Sequence, residues 1–104
     1  MIRAGRTKVK YNPVPTAREK AFHLWLMDEF SCGCGCGAYS ECVHHPLTRH
    51  AEQRWRRDHE YVVPMADVCH RALHAMGRES LFSERNFADL AHGYRGRGQI
   101  EGVL

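Results

Sequence analysis

The sequence lacks any long run of apolar residues, and its N-terminus lacks the apolar segment that a secretory signal needs. These two absences argue against a membrane-spanning chain and against export. We therefore expect a protein of the reducing cytoplasm with no membrane partner. In that compartment, clustered cysteines and histidines indicate metal ligands more often than they indicate disulfides.

The cysteine and histidine content is high for a chain of this size. The 104 residues contain five cysteines and eight histidines. A chain of this length forms one domain with a modest core, and such domains often need a metal or a disulfide as a staple. Apolar residues (43%) and charged residues (26%) are near ordinary globular values, which excludes wholesale disorder.

The net charge of +3 is small, but the basic residues are unevenly distributed. One group precedes every acidic residue, a second is central, and a third lies in a glycine-rich C-terminal stretch. These groups are Arg3, Arg6, Lys8 and Lys10; Arg49, Arg54, Arg56 and Arg57; and Arg95 and Arg97. Such clusters are typical of a surface that binds a polyanion, although a solvated surface is the alternative.

Proline, glycine and capping patterns divide the chain into a basic arm, one domain and a flexible tail, at residues 1–15, 16–94 and 95–104. Thr16 and Glu19 form a capping-box pattern that predicts a helix over residues 17–29. Two short strands and two more helices follow, at residues 38–45, 60–63, 65–76 and from Ser83 onward. Pro64 is expected to end the second strand, and Gly77 to cap the helix after it.

The helix predicted over residues 65–76 carries His70 and His74, which share one face because they are four residues apart. Its apolar residues project to another side, so the two histidines are not explained as core residues. This spacing alone is common by chance. It gains weight because six of the eight histidines lie between His44 and His74.

The order of these elements resembles the HNH, or ββα-metal, endonucleases, most closely the small phage and prophage proteins related to the recombination-enhancement nuclease Ref. In that family a His-His pair ends one strand, and a second strand leads through Val-Pro into a helix with His-x-x-x-His. The matching residues are His44-His45, then Asp58 or His59, then Val63-Pro64, Cys69-His70, His74, Gly77 and Phe82. The resemblance covers about residues 30–82, and the metal site of colicin-type nuclease domains is also similar.

The resemblance implies an α+β fold with a ββα-metal (HNH, or His-Me finger) core and flanking helices. It also implies hydrolysis of DNA phosphodiester bonds with low sequence specificity. His44, His70 and His74 would bind a divalent ion, which could be Mg²⁺, Mn²⁺, Zn²⁺ or Ni²⁺. His45 would be the general base, a role that suits an imidazole titrating near neutrality. Neighbours on a strand project to opposite faces, as this division of roles requires.

The resemblance assigns further residues between the two halves of the motif. Asp58 or His59 would fill the family's middle position, either orienting the base or completing the metal shell, and the spacing to Pro64 leaves both open. Independently of the resemblance, the clustered charge predicts that four arginines of the connection contact the phosphate backbone, with a solvated loop as the alternative: Arg49, Arg54, Arg56 and Arg57. The implied partners are DNA and, from the phage relatives, recombination or other phage proteins in the host cytoplasm.

The cysteines depart from the family pattern, in which a Cys-x-x-Cys knuckle commonly holds a structural zinc. Here single glycines separate Cys32, Cys34 and Cys36, and Ala66 replaces the first cysteine of the later pair. Four thiolates could still form a tetrahedral zinc site, for example Cys34, Cys36, Cys42 and Cys69. On the helical wheel Cys69 faces inward, away from His70. Buried free thiols are the alternative.

A second interpretation of the same residues belongs to another class of protein. It is a non-catalytic zinc-binding module that binds nucleic acid or a protein partner. Removal of the metal would then unfold the domain, since the binding energy is also folding energy. No divalent ion would support cleavage of DNA under this interpretation.

Overall fold

The computed structural model describes residues 14–53 and 57–104. Nearly all of the expected N-terminal arm, together with Arg54 and Arg56, lies outside these ranges. The described elements are α1 (Ala17–Glu29), β1 (Cys42–His44), β2 (Val63–Met65), α2 (Asp67–Met76), α3 (Glu79–Phe82) and α4 (Phe87–Ile100). The two strands pair as one antiparallel sheet, so the predicted α+β class is confirmed.

Helix α1 begins as its capping residues predict. The Thr16 hydroxyl accepts from the Glu19 N–H at 3.1 Å, and the Glu19 carboxylate accepts from the Thr16 N–H at 2.8 Å. These two bonds satisfy backbone donors that the first turn of a helix leaves without partners. Phe22 and Leu26 of this helix are fully buried and pack with Val62 in one of two core clusters.

The strands are shorter than predicted, and Pro64 lies within β2 rather than ending it. The register pairs Cys42 with Met65, Val43 with Pro64 and His44 with Val63. The Pro64 carbonyl accepts from Gly33 N at 2.7 Å, so this residue directs its backbone polar group away from β1. Because alternate residues of a strand bond to opposite sides, the missing N–H of proline costs this small sheet no ladder bond.

Helix α2 follows β2 and ends at Gly77, which adopts the left-handed conformation (φ 78°) expected of it. The Gly77 N–H bonds to the carbonyls of Leu73 and His74. Leu73 of α2 is fully buried beside Met65 and Phe87 in the second core cluster. None of the helices within the described residues combines the length and apolarity needed to cross a bilayer.

The predicted start of the last helix at Ser83 and the predicted flexible tail from residue 95 are both wrong. Ser83 ends the short helix α3, and the Asn86 side chain caps α4 by accepting from Asp89 N at 3.1 Å. Helix α4 continues to Ile100, and the N–H groups of Val103 and Leu104 bond to the Gly98 carbonyl. Glycines disfavour helix locally, but packing of this segment on α1 outweighs that preference.

Substitution of Gly98 by alanine should destabilise the fold by about 1–3 kcal/mol. The new Cβ would lie 2.6 Å from Cε1 of the buried Phe22 ring. Gly93→Ala, in the same helix, meets no atom within 4 Å and should stabilise by roughly 0.5–1 kcal/mol through helix propensity. Urea unfolding measures both changes, and stabilisation by both variants would contradict the packing of α4 on α1.

Candidate metal centres

Three histidines converge where the end of β1 faces α2. His44 is the last residue of β1 and is only 1% exposed, whereas His70 and His74 lie one turn apart on α2. His44 Nδ1 is 3.2 Å from His70 Nε2, which is 3.0 Å from His74 Nε2. Two imidazole nitrogens of a tetrahedral zinc site would be separated by about 3.3 Å. The predicted convergence is therefore present, and the group could hold a divalent metal ion.

Glu79, which no sequence motif indicates, orients the imidazole of His44. Its Oε2 atom accepts from His44 Nε2 at 2.6 Å and from Leu47 N at 2.7 Å, and the residue is 9% exposed. Because Nε2 carries the hydrogen, Nδ1 presents its lone pair to the other two histidines. The residue stands 35 positions after His44, and no motif spacing relates the two.

Cys42 lies beside this histidine group and not in the cysteine cluster predicted for it. Its Sγ is 3.5 Å from His70 Nδ1 and 3.4 Å from the Met65 carbonyl oxygen. The register of the sheet accounts for this position, because Cys42 pairs with Met65, close to the start of α2. Burial is the largest of the effects that raise the pKa of its thiol. A neutral thiol here suits a neighbour of the imidazole group better than a ligand.

A second group contains four cysteines, with Cys32 in the place predicted for Cys42. The group consists of Cys32, Cys34, Cys36 and Cys69. The Sγ–Sγ distances are 3.3 Å for Cys32–Cys34, 3.7 Å for Cys34–Cys69 and 3.7 Å for Cys36–Cys69. Four thiolates around a tetrahedral zinc ion lie about 3.8 Å apart. The cysteine group could thus hold a metal ion such as zinc.

One glycine between the clustered cysteines and one directly after them allow three thiols to face one point. Gly35 and Gly37 have φ angles of 91° and 86°, which side chains with a Cβ rarely adopt. The turn is closed by hydrogen bonds from Cys32 N to the Ala38 carbonyl and from Gly35 N to the Cys32 carbonyl. Cys69 reaches the turn from the first part of α2, as its inward position on the helical wheel predicts.

The thiols of Cys34, Cys36 and Cys69 differ in acidity because they differ in burial and in hydrogen bonding. The Ala38 N–H, followed by Cys34 and Cys69, lowers the pKa of the exposed Cys36 thiol to about 7. Burial is the largest cause of the raised pKa values of Cys34 and Cys69. Since metal ligation requires thiolates, a bound cation would provide the charge compensation that these two sulfurs lack.

His45 has partners different from those of His44. Its Nε2 is 2.9 Å from Nδ1 of the buried His59, whose backbone carbonyl is 2.6 Å from His23 Nε2. Asp58 instead accepts from Glu60 N at 2.9 Å, within the turn that precedes β2. Of the two residues considered for the middle position, His59 is the one in contact with His45.

The environment of His45 keeps its imidazole neutral at physiological pH. Burial, followed by the neighbouring His59 and Arg57, lowers the pKa of this group to about 3. Burial is also the largest cause of the lowered pKa values of His23 and His70. The pKa of His45 is thus well below the near-neutral value expected of a general base, so its lone pair can accept a proton but is less basic than that of an ordinary imidazole. A neutral His70 can donate its lone pair to a metal.

The histidines open into a cleft of about 520 Å³. Its lining includes His44, His45, His70 and His74, and Arg57 brings a positive charge to the same cleft. Arg49, also predicted as a phosphate contact, donates to the Gln53 carbonyl at 2.6 Å, within its own loop. The cleft therefore combines a possible cation site, a neutral imidazole and a guanidinium.

Comparisons with protein-family models, with curated proteins and with solved structures gave no match to this chain. Within the described residues, the structure has two compact groups of possible metal ligands, one with nitrogen donors and one with sulfur donors. Cys69 of the sulfur group directly precedes His70 of the nitrogen group in the chain. Nitrogen donors beside an open cleft are typical of catalytic sites, whereas four sulfurs are typical of structural ones.

Replacement of Glu79 by glutamine should weaken metal binding at the three-histidine site by about 10- to 100-fold, as loss of a ligand's hydrogen-bonding partner commonly does. Titration with Mn²⁺, which has little preference for thiolates, measures this site selectively. Glu84→Gln, an exposed substitution in the segment that links α3 to α4, serves as the control. Wild-type affinity in Glu79→Gln would show that the carboxylate does not support His44 as a ligand.

Serine substitutions distinguish the observed cysteine group from the predicted one. Cys32→Ser should reduce the ultraviolet charge-transfer absorption of thiolate-bound Co²⁺, because it removes one of four sulfur ligands. Cys42→Ser should retain this absorption, since Cys42 lies with the histidines. The opposite result, with absorption lost only in Cys42→Ser, would restore the ligand set expected from the sequence.

Proposed function

We propose that the protein is a metal-dependent endonuclease of the ββα-metal (HNH) type, which hydrolyses DNA phosphodiester bonds with low sequence specificity. One observation carries the proposal. His45, whose Nε2 is 2.9 Å from Nδ1 of His59, lines the same open cleft as His44, His70 and His74. An antiparallel strand pair leading directly into the helix that bears His70 and His74 supports the same assignment.

Hydrolysis of a phosphodiester has three requirements: a base for the attacking water, compensation of negative charge on the phosphate, and help for the departing sugar oxygen. A divalent ion bound by His44, His70 and His74 would supply Lewis-acid compensation for the last two. The Nδ1 and Nε2 donors suit Zn²⁺, Mn²⁺ or Ni²⁺, and Mg²⁺ prefers oxygen ligands. The base for the attacking water must come from a side chain of the protein.

His45 would be the base that accepts the proton of the attacking water. In the tautomer whose Nε2–H donates to Nδ1 of His59, the lone pair of His45 Nδ1 can accept a proton from water. The buried His59, with its carbonyl held by His23, limits rotation of the His45 ring. Arg57 contributes a guanidinium to the cleft, where it can bind the non-bridging phosphate oxygens.

We assign the four-cysteine group a structural zinc. Its sulfur spacing approaches that of a tetrahedral zinc site, and Cys32 packs in the core with Tyr61, Val63 and Met65. A zinc ion there would tie the cysteine turn to α2. This feature also favours the second candidate, a non-catalytic zinc module, but such a module needs no neutral histidine beside a separate imidazole group.

A plasmid-nicking assay tests the proposal. The wild-type protein should nick supercoiled DNA with one or more of Mg²⁺, Mn²⁺, Ni²⁺ and Zn²⁺, and a chelator should stop it. His45→Ala should lower the rate by about 10²- to 10⁴-fold, the usual contribution of a general base. Mn²⁺ affinity should be unchanged in this variant, because the three metal-binding histidines remain.

His92→Ala provides the matched control, since this histidine lies on α4 and does not line the cleft. Its nicking rate should equal that of the wild type. A fully active His45→Ala protein would remove the base assignment. A wild-type protein that nicks with none of the four ions would leave the zinc-binding module as the better interpretation.

A further inference from the structure

A second cleft, of about 490 Å³, adjoins the histidine cleft. Leu47 lines both, and it is 43% exposed at their common border. Glu79, whose carboxylate holds His44 and the Leu47 N–H, forms part of the second cleft. The two clefts are therefore adjacent, and the residue that orients a metal-binding histidine belongs to the wall of the second.

The charges of the second cleft are unequal. Arg78 and Arg85 line it, together with the polar side chains of Thr48, Ser80 and Asn86. Its acidic residues are Glu84 and Glu79, and the Glu79 carboxylate is already hydrogen-bonded to His44 and to the backbone. With Glu79 engaged, the charged groups that line the cleft are two guanidinium groups and one exposed carboxylate, so their net charge is positive.

The two arginines are held differently. Arg85 donates to the Gly33 carbonyl at 3.2 Å, which fixes its guanidinium beside the cysteine turn. Arg78 is exposed, and no ion pair joins it to any residue within 14–53 or 57–104. A guanidinium without an acidic partner, at the border of a cleft, is available to bind an anion through two parallel hydrogen bonds.

We propose that the second cleft binds the phosphate backbone of the nucleic-acid strand next to the cleavage position, with Arg78 as the principal contact. This inference rests on the proposed endonuclease function. A strand whose scissile phosphate lies near His45 and Arg57 would continue past Leu47 to Arg78. Contacts of this kind set the position of the strand and carry no sequence information, which agrees with low specificity.

The salt dependence of DNA affinity tests this contact. Binding of a short fluorescent duplex is measured by anisotropy in the His45→Ala protein with Mn²⁺ present, so that the DNA stays intact. Adding Arg78→Gln should lower the slope of log affinity against log salt by about 0.9, the contribution of one phosphate contact. The affinity ratio between the two proteins should then shrink about threefold from roughly 50 to 200 mM salt.

Arg71→Gln is the matched control, because it removes the same charge from an exposed arginine that lines neither cleft. It should leave the slope unchanged. An unaltered slope in Arg78→Gln, or an equal decrease in both variants, would overturn the proposal. Wild-type Mn²⁺ affinity in Arg78→Gln confirms that the adjacent Glu79 still holds His44, so that a changed slope reports the phosphate contact.

Failure of this inference can be told apart from failure of the proposed function. If the wild type nicks DNA but the slope is unaltered in Arg78→Gln, the proposed role of the second cleft is wrong and the endonuclease proposal stands. If the slope depends on Arg78 but none of the four ions supports nicking, the endonuclease proposal is wrong. The cleft then stands as a nucleic-acid contact of a non-catalytic protein.

Discussion

The antiparallel pairing of β1 with β2 is the interaction on which both candidate metal centres depend. The pairing of His44 with Val63 places the end of β1 beside the strand that leads into α2. On its other side, β2 accepts the Gly33 N–H through Pro64 and so holds the cysteine turn. Because α2 starts directly after this strand, its first turns reach the histidine group and the cysteine group together. Cys69 and His70 are neighbours that belong to different groups of possible metal ligands, as residues 100° apart on a helix can.

The two centres concentrate groups that are costly to bury without a cation. His44 is buried beside the Glu79 carboxylate and His59 beside His45, and burial holds His45 in its neutral form. Burial likewise disfavours the thiolates of Cys34 and Cys69. A domain of this size has little core energy to spare for such groups. Metal binding would offset these costs, since a cation favours both neutral imidazole donors and deprotonated thiols.

The parts of the fold that follow from the sequence are those governed by neighbours along the chain. The capping box at Thr16 and the glycine cap at Gly77 both lie where local rules place them. The spacing of His70 and His74 likewise places their nitrogens on one face of α2. Prediction was weaker for α4, where local glycines suggested a tail. Gly98 is buried against Phe22, which is 76 residues away in the sequence, and no local sequence pattern predicts this contact.

The sequence by itself determined the α+β class, the shared face of His70 and His74, and three of the four cysteines of the sulfur group, because these depend on residue type and helical spacing. The third histidine, His44, was expected from the family resemblance. Tertiary structure alone decided that Cys32 replaces Cys42, that His59 rather than Asp58 meets His45, and that Glu79 holds His44. Each of these choices is made by contacts between distant segments. The strand register and the path of a turn decide which of several chemically similar side chains reaches a site. Residue composition does not contain this information.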